Sequence, residues 1–108
     1  MKILPYRATT STGDIFDIEF PLNPDTGDAV RIFQLVSEIL LILDRSLAVG
    51  GPTSNGDVLQ AIAMAMSIRA RMIHAPTETS SRLAMELLST ALEAAGSASR
   101  QAPTTGRA

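Results

Sequence analysis

The sequence predicts an α+β fold, an N-terminal β-hairpin followed by three α-helices. Three features point to it. Apolar and polar residues alternate over residues 2–22, as strands require. From about residue 28 the apolar spacing changes to three and four residues, which is helical. Gly50-Gly51-Pro52 and Ala75-Pro76 then divide the helical part into three. With 108 residues, of which 45% are hydrophobic and 19% charged, there is material for one folded domain. That domain is expected to span residues 1–95, with a disordered tail at 96–108.

The hairpin can be read to its register. Leu4, Tyr6 and Ala8 alternate with Ile3, Pro5 and Arg7, and Phe16, Ile18 and Phe20 alternate with Asp17 and Glu19. If Ser11, Thr12 and Gly13 form a three-residue loop, Gly13 takes its left-handed position. Pairing then sets Thr10 against Asp14, Ala8 against Phe16, Tyr6 against Ile18 and Leu4 against Phe20. Every apolar partner falls on one face, and Arg7 meets Asp17 on the other. A slip by one residue would set Tyr6 against Glu19, so the pattern selects this register. Pro5 has no N–H to donate and belongs at an edge.

Pro21-Leu22-Asn23-Pro24-Asp25-Thr26-Gly27-Asp28 breaks the chain, and Asp25 or Thr26 can cap the helix that follows. This first helix is predicted over about 28–48. Arg31, Gln34, Glu38 and Arg45 form its polar stripe, but Leu41 and Ile42 intrude on it, so the helix needs cover on more than one side.

The second helix is predicted over about 55–74, starting at Ser54 or Asn55, with Asp57 in its first turn and Arg69 and Arg71 in its last. Because Val58–Ile68 carries no charge and Ala61, Ala63 and Ala65 permit close approach, it is expected to be the buried central helix. The third is predicted over about 78–95, capped by Thr77. Leu83, Leu87, Leu88, Ala91, Leu92 and Ala95 make its apolar stripe, and Glu78, Arg82 and Glu86 its wet side.

Composition removes several function classes. Without cysteine there is no thiolate chemistry, disulfide framework or common structural zinc site. A net charge of −2 argues against nucleic-acid binding, which needs clustered Lys and Arg. Without residues 96–108, which carry Arg100 and Arg107, the formal charge is −4. The most apolar stretch, Val30–Val49, contains Arg31, Glu38, Asp44 and Arg45, whereas a bilayer span needs about 20 apolar residues. The first residues lack the apolar core of a signal peptide, so a cytoplasmic protein that binds no membrane is expected.

Four motifs invite a chemical reading, and each has a simpler one. Asp25-Thr26-Gly27 is the triplet of aspartic proteases, but those place it among apolar strands; here it precedes a helix and reads as a turn. Gly51-Pro52-Thr53-Ser54-Asn55-Gly56 has phosphate-loop glycine spacing, yet continues with Asp57-Val58 where Lys and Ser or Thr are required. Asp14, Asp17, Glu19, Asp25 and Asp28 gather acid without base, but not at the spacing of a calcium loop, so they read as a solvated strand face and loop with no metal. His74, the single histidine, is expected at a helix C-terminus as a capping residue; neighbouring Ser80 and Ser81 read as an ordinary helix start.

No catalytic residues and no cofactor are therefore expected, and the chain is read as a non-enzyme. One hairpin is marginal in water, and the first helix exposes more apolar surface than one neighbour covers. Both are resolved if two copies associate, through the hairpin edge, the first helix, or both. A homodimer is the expected partner arrangement. The favoured function is a small protein-interaction module, such as an adaptor, assembly factor or regulatory subunit, with Leu41, Ile42, Met64 and Met66 as candidate interface residues. A second class is a small-molecule binder or minor enzyme with a cavity between helices lined by Met and Ala. Arg69 or Arg71 would stand at its mouth to take a carboxylate or phosphate. A flat apolar surface points to the first, and an enclosed pocket with a convergent arginine to the second.

Overall fold

A computed structural model describes residues 2–102 of the chain. Strand β1 (Ile3–Thr9) pairs antiparallel with β2 (Ile15–Pro21). The register sets Leu4 opposite Phe20, Tyr6 opposite Ile18 and Ala8 opposite Phe16, as the alternation predicts. Gly13 has φ +90°, and the Thr10 N–H donates to the Asp14 carbonyl at 2.9 Å, closing the three-residue loop. Arg7 and Asp17 meet on the exposed face through two hydrogen bonds, at 2.7 and 3.0 Å.

Three helices follow: α1 (Ala29–Val49), α2 (Asn55–Arg71) and α3 (Thr77–Ser97). The α+β arrangement is the one predicted, and the differences lie at helix ends. Asp28, rather than Asp25 or Thr26, caps α1, accepting from the Arg31 N–H at 3.0 Å. Asp25 and Thr26 are held instead in a turn by the side chain and carbonyl of Asn23. Ser54 caps α2 through the Asp57 N–H.

Helix α2 stops at Arg71, short of His74. The Met72 N–H bonds back to the carbonyls of Ile68 and Arg69, and a tight turn leads into Pro76, which disfavours helical geometry in the residue before it. His74 is exposed in that turn and lies beyond the helix it was expected to cap. Thr77 is the first helical residue of α3 rather than its cap. The cap position belongs to Pro76, which offers no side-chain hydrogen bond.

At the C-terminal end the composition predicts disorder from residue 96, but α3 continues to Ser97 and Arg100–Gln101 forms a short strand, β3. It pairs with Ile15 and Phe16, giving the sheet order β1-β2-β3. The Arg100 guanidinium lies 5.1 Å from the centre of the Phe16 ring and 3.7 Å from the Asp14 carboxylate. The rest of that tail, residues 103–108, lies outside the described residues.

The apolar face of the hairpin is covered from two sides: α3 packs on β2, and α1 on β1. Tyr6 is the centre of this small core, being 8% exposed. Its ring meets Phe33 at 5.1 Å between centroids, and its hydroxyl hydrogen-bonds the Ser37 hydroxyl at 2.9 Å. Phe33 and Ser37 are one helical turn apart, so one face of α1 makes both contacts. Helix α2 packs on α3 alone, and no Cα of α1 comes within 8 Å of a Cα of either helix. The radius of gyration is 15.8 Å, against about 13 Å for a compact chain of this length.

Candidate functional site

The open construction decides where a functional surface can lie. Helix α1 begins against the hairpin, with Ile32 and Val36 one turn apart and half-buried. Beyond Ser37 it becomes an arm. Ile39, Leu40, Leu41, Ile42 and Leu43 are consecutive, and at 100° per residue five consecutive positions go more than once round the helix. No single neighbour can cover them all, and within this chain the arm has no helical neighbour. Leu41 is 48% exposed and Ile42 65%.

Helix α2 is the clearest correction. It was expected to be the buried central helix, yet no residue of it is buried. Its uncharged stretch packs against α3 on one side, while Leu59 and Met64, 67% and 58% exposed, stand in solvent. Met66 is half-buried. Leu83, Leu88 and Leu92 of α3 are also exposed, so the α2–α3 pair presents an apolar surface of its own. The sequence places these residues on helices but cannot say which helices touch, since periodicity describes one helix at a time.

Two clefts border the helices. The larger, about 1080 Å³, runs between α1 and α3 above the sheet and is lined by Leu4, Phe20, Ile32, Val36, Leu87 and Ala91, with Lys2 and Glu86 also on its wall. The smaller, about 790 Å³, lies beside β2 and the end of α3, and its arginine, Arg7, is engaged by Asp17. Neither is lined by Arg69 or Arg71, which are exposed at the end of α2, Arg69 directing a guanidinium N–H to the Met72 sulfur at 3.0 Å. In these two clefts neither Arg69 nor Arg71 converges on the cavity.

The polar motifs resolve into structural contacts. Asp14 faces Arg100, Asp17 is held by Arg7 and by Gln101 at 3.4 Å, and Asp28 is a helix cap. Among the described residues no three acids or histidines gather as a metal would need. Hydrogen bonds from Arg7 hold the Asp17 carboxyl below the usual carboxylate range, and the same contact raises the Arg7 guanidinium. Gly51, at φ +80°, turns the chain between α1 and α2 with the Thr53 hydroxyl donating to its carbonyl at 3.3 Å. Ser80 is buried at the start of α3, its hydroxyl donating to the Pro76 carbonyl at 3.2 Å. No described helix is long and apolar enough to cross a membrane.

The site that emerges is a surface: the arm of α1 on one side and the outer face of α2–α3 on the other. Its chemistry is apolar contact. Comparison with known proteins adds no likeness, since no family model, curated protein or solved structure matches the chain at a significant level.

Proposed function

We propose that this protein is a small oligomeric interaction module, an adaptor, assembly factor or regulatory subunit that acts by helix packing rather than by catalysis. One observation carries the reading: apolar side chains stand in solvent along all three helices, while Tyr6 is the one buried apolar residue among those described. Large contiguous apolar surface is rare on proteins that act as monomers and marks places where another surface packs.

The chemistry of these faces fits that role. Leucine, isoleucine and methionine on helices make adaptable packing surfaces, and the uncharged stretch Val58–Ile68 is long enough to run along a partner helix for about three turns. Within that stretch there is no charged residue; the charges of α1 and α3, among them Glu38, Arg45, Arg82 and Glu86, lie outside it.

Thermal unfolding measured over a hundredfold range of protein concentration tests the reading, because association stabilises by mass action. The midpoint is expected to rise with concentration. A constant midpoint, together with failure to bind a dye that reports exposed apolar surface, would mean that the helices close on each other within one chain, and the proposal would fail.

A further inference from the structure

We infer that the surface is filled by a second copy of this chain, in a two-fold dimer where the α1 arm of each copy lies across the α2–α3 face of the other. The inference rests on the proposed interaction role and names its occupant.

The connection between α1 and α2 is the first reason. Only Gly50–Ser54 separates the two helices, a length that in helical proteins joins antiparallel neighbours. Here no Cα of one comes within 8 Å of a Cα of the other. Gly51, at φ +80°, lies in that connection, and an arm held away from its own helix pair is the conformation that a segment exchange between two copies uses.

The second reason is complementarity within one sequence. The chain shows two uncovered apolar surfaces, an arm and a two-helix face, and each is what the other lacks. The arm supplies Leu41, Ile42 and Leu47; the face supplies Leu59, Met64 and Leu88. A two-fold axis brings both arms onto both faces at once, so the contact closes on itself and covers one side of each arm. A different partner would have to supply both surfaces independently.

The third reason is area. The chain exposes 8655 Å², whereas a folded monomer of 11.4 kDa exposes about 5,800 Å² by the usual scaling. A part of that excess is enough for the roughly 1,200–2,000 Å² that a stable interface buries. The facing segments Ile39–Leu43 and Val58–Ile68 carry no charge, and the charges next to the first, Asp44 and Arg45, are of opposite sign.

The absence of cysteine makes the test direct, because introduced thiols have no competitors. Ile42→Cys and Met64→Cys chains are made separately, mixed under conditions that allow exchange, and oxidised, with mass measured by light scattering. The inference expects a dimer mass and a disulfide joining an Ile42→Cys chain to a Met64→Cys chain. Leu41→Glu should weaken the dimer by about 100-fold or more, since a carboxylate would be buried unpaired.

A dimer in which Ile42→Cys links only to itself overturns the exchange, with two arms packing together instead. A folded monomer that binds the apolar-surface dye also overturns it and leaves the interaction role intact with another partner. A folded monomer that does not bind the dye overturns both.

Discussion

The two ends of the molecule are built from similar residues and differ in what they bury. At the hairpin end, strands β1 and β2, the first turns of α1 and the second half of α3 surround Tyr6, where an aromatic neighbour and a hydroxyl partner are both satisfied. At the other end, the arm of α1 and the whole of α2 are as apolar, yet none of their residues is buried. The first region is a small core. The second has secondary structure without a core, and a helix of this length owes most of its stability to packing of an apolar face. The contrast teaches that burial is concentrated at the hairpin end, while the helical end keeps its apolar faces uncovered within one chain.

The largest expected effect tests the hairpin end. Tyr6→Ala should cost about 3–5 kcal/mol in urea unfolding, because it empties the centre of the small core at the hairpin end. Tyr6→Phe, which loses just the Ser37 hydrogen bond, should cost about 1 kcal/mol. Dilute enough for monomer, Ile42→Ala in the arm should cost far less than Tyr6→Ala. Equal losses would erase the distinction between the two ends.

A middle-sized effect concerns the hairpin turn. Gly13→Val should cost about 1–2 kcal/mol, since a β-branched residue resists φ +90°. Amide exchange should quicken in β1 and β2 and stay unchanged in α2, which makes no contact with the sheet. Matching loss of protection in α2 would show that the two ends unfold as one unit.

The smallest effect is the Arg7–Asp17 pair, whose groups are well exposed. Its hydrogen bonds lower the Asp17 pKa in the folded chain, so its contribution is present above the ordinary Asp pKa of about 3.9. That contribution disappears as pH falls through the lower folded value. Melting curves of the wild type and Arg7→Ala should therefore differ slightly at pH 7 and draw together as the pH falls below the ordinary Asp range. A gap that widens in acid would mean that Asp17 is not the group responsible.

Much of the hairpin was legible in the sequence because a strand's period is two and one residue of slip turns every side chain over; Tyr6 opposite Ile18 and Arg7 opposite Asp17 follow from that and from the three-residue loop that Gly13 closes. The short strand β3 was not legible. Arg100 and Gln101 have no alternation to detect, and their place depends on where α3 delivers the chain and on Phe16 and Asp14 waiting on β2. His74 was misplaced by one turn because Pro76 acts on the residue before it and the helix had already unwound.

The candidate surface was half legible. Leu41 and Ile42 stand out because they break the polar stripe of α1, and that excess alone points to cover from more than one side. For α2 the same kind of reasoning failed: lack of charge was read as burial, whereas it marks only an intolerance of water. What meets Met64 depends on which helix lies beside it.

By itself the sequence determined the elements, the hairpin register and the surplus of apolar surface, since each depends on local periodicity, turn chemistry or composition. Tertiary structure alone decided that α1 and α2 stay apart and that Tyr6 holds the core. Contacts between distant segments are settled by the competition among all apolar faces for a limited amount of cover, and no window of the chain contains that competition.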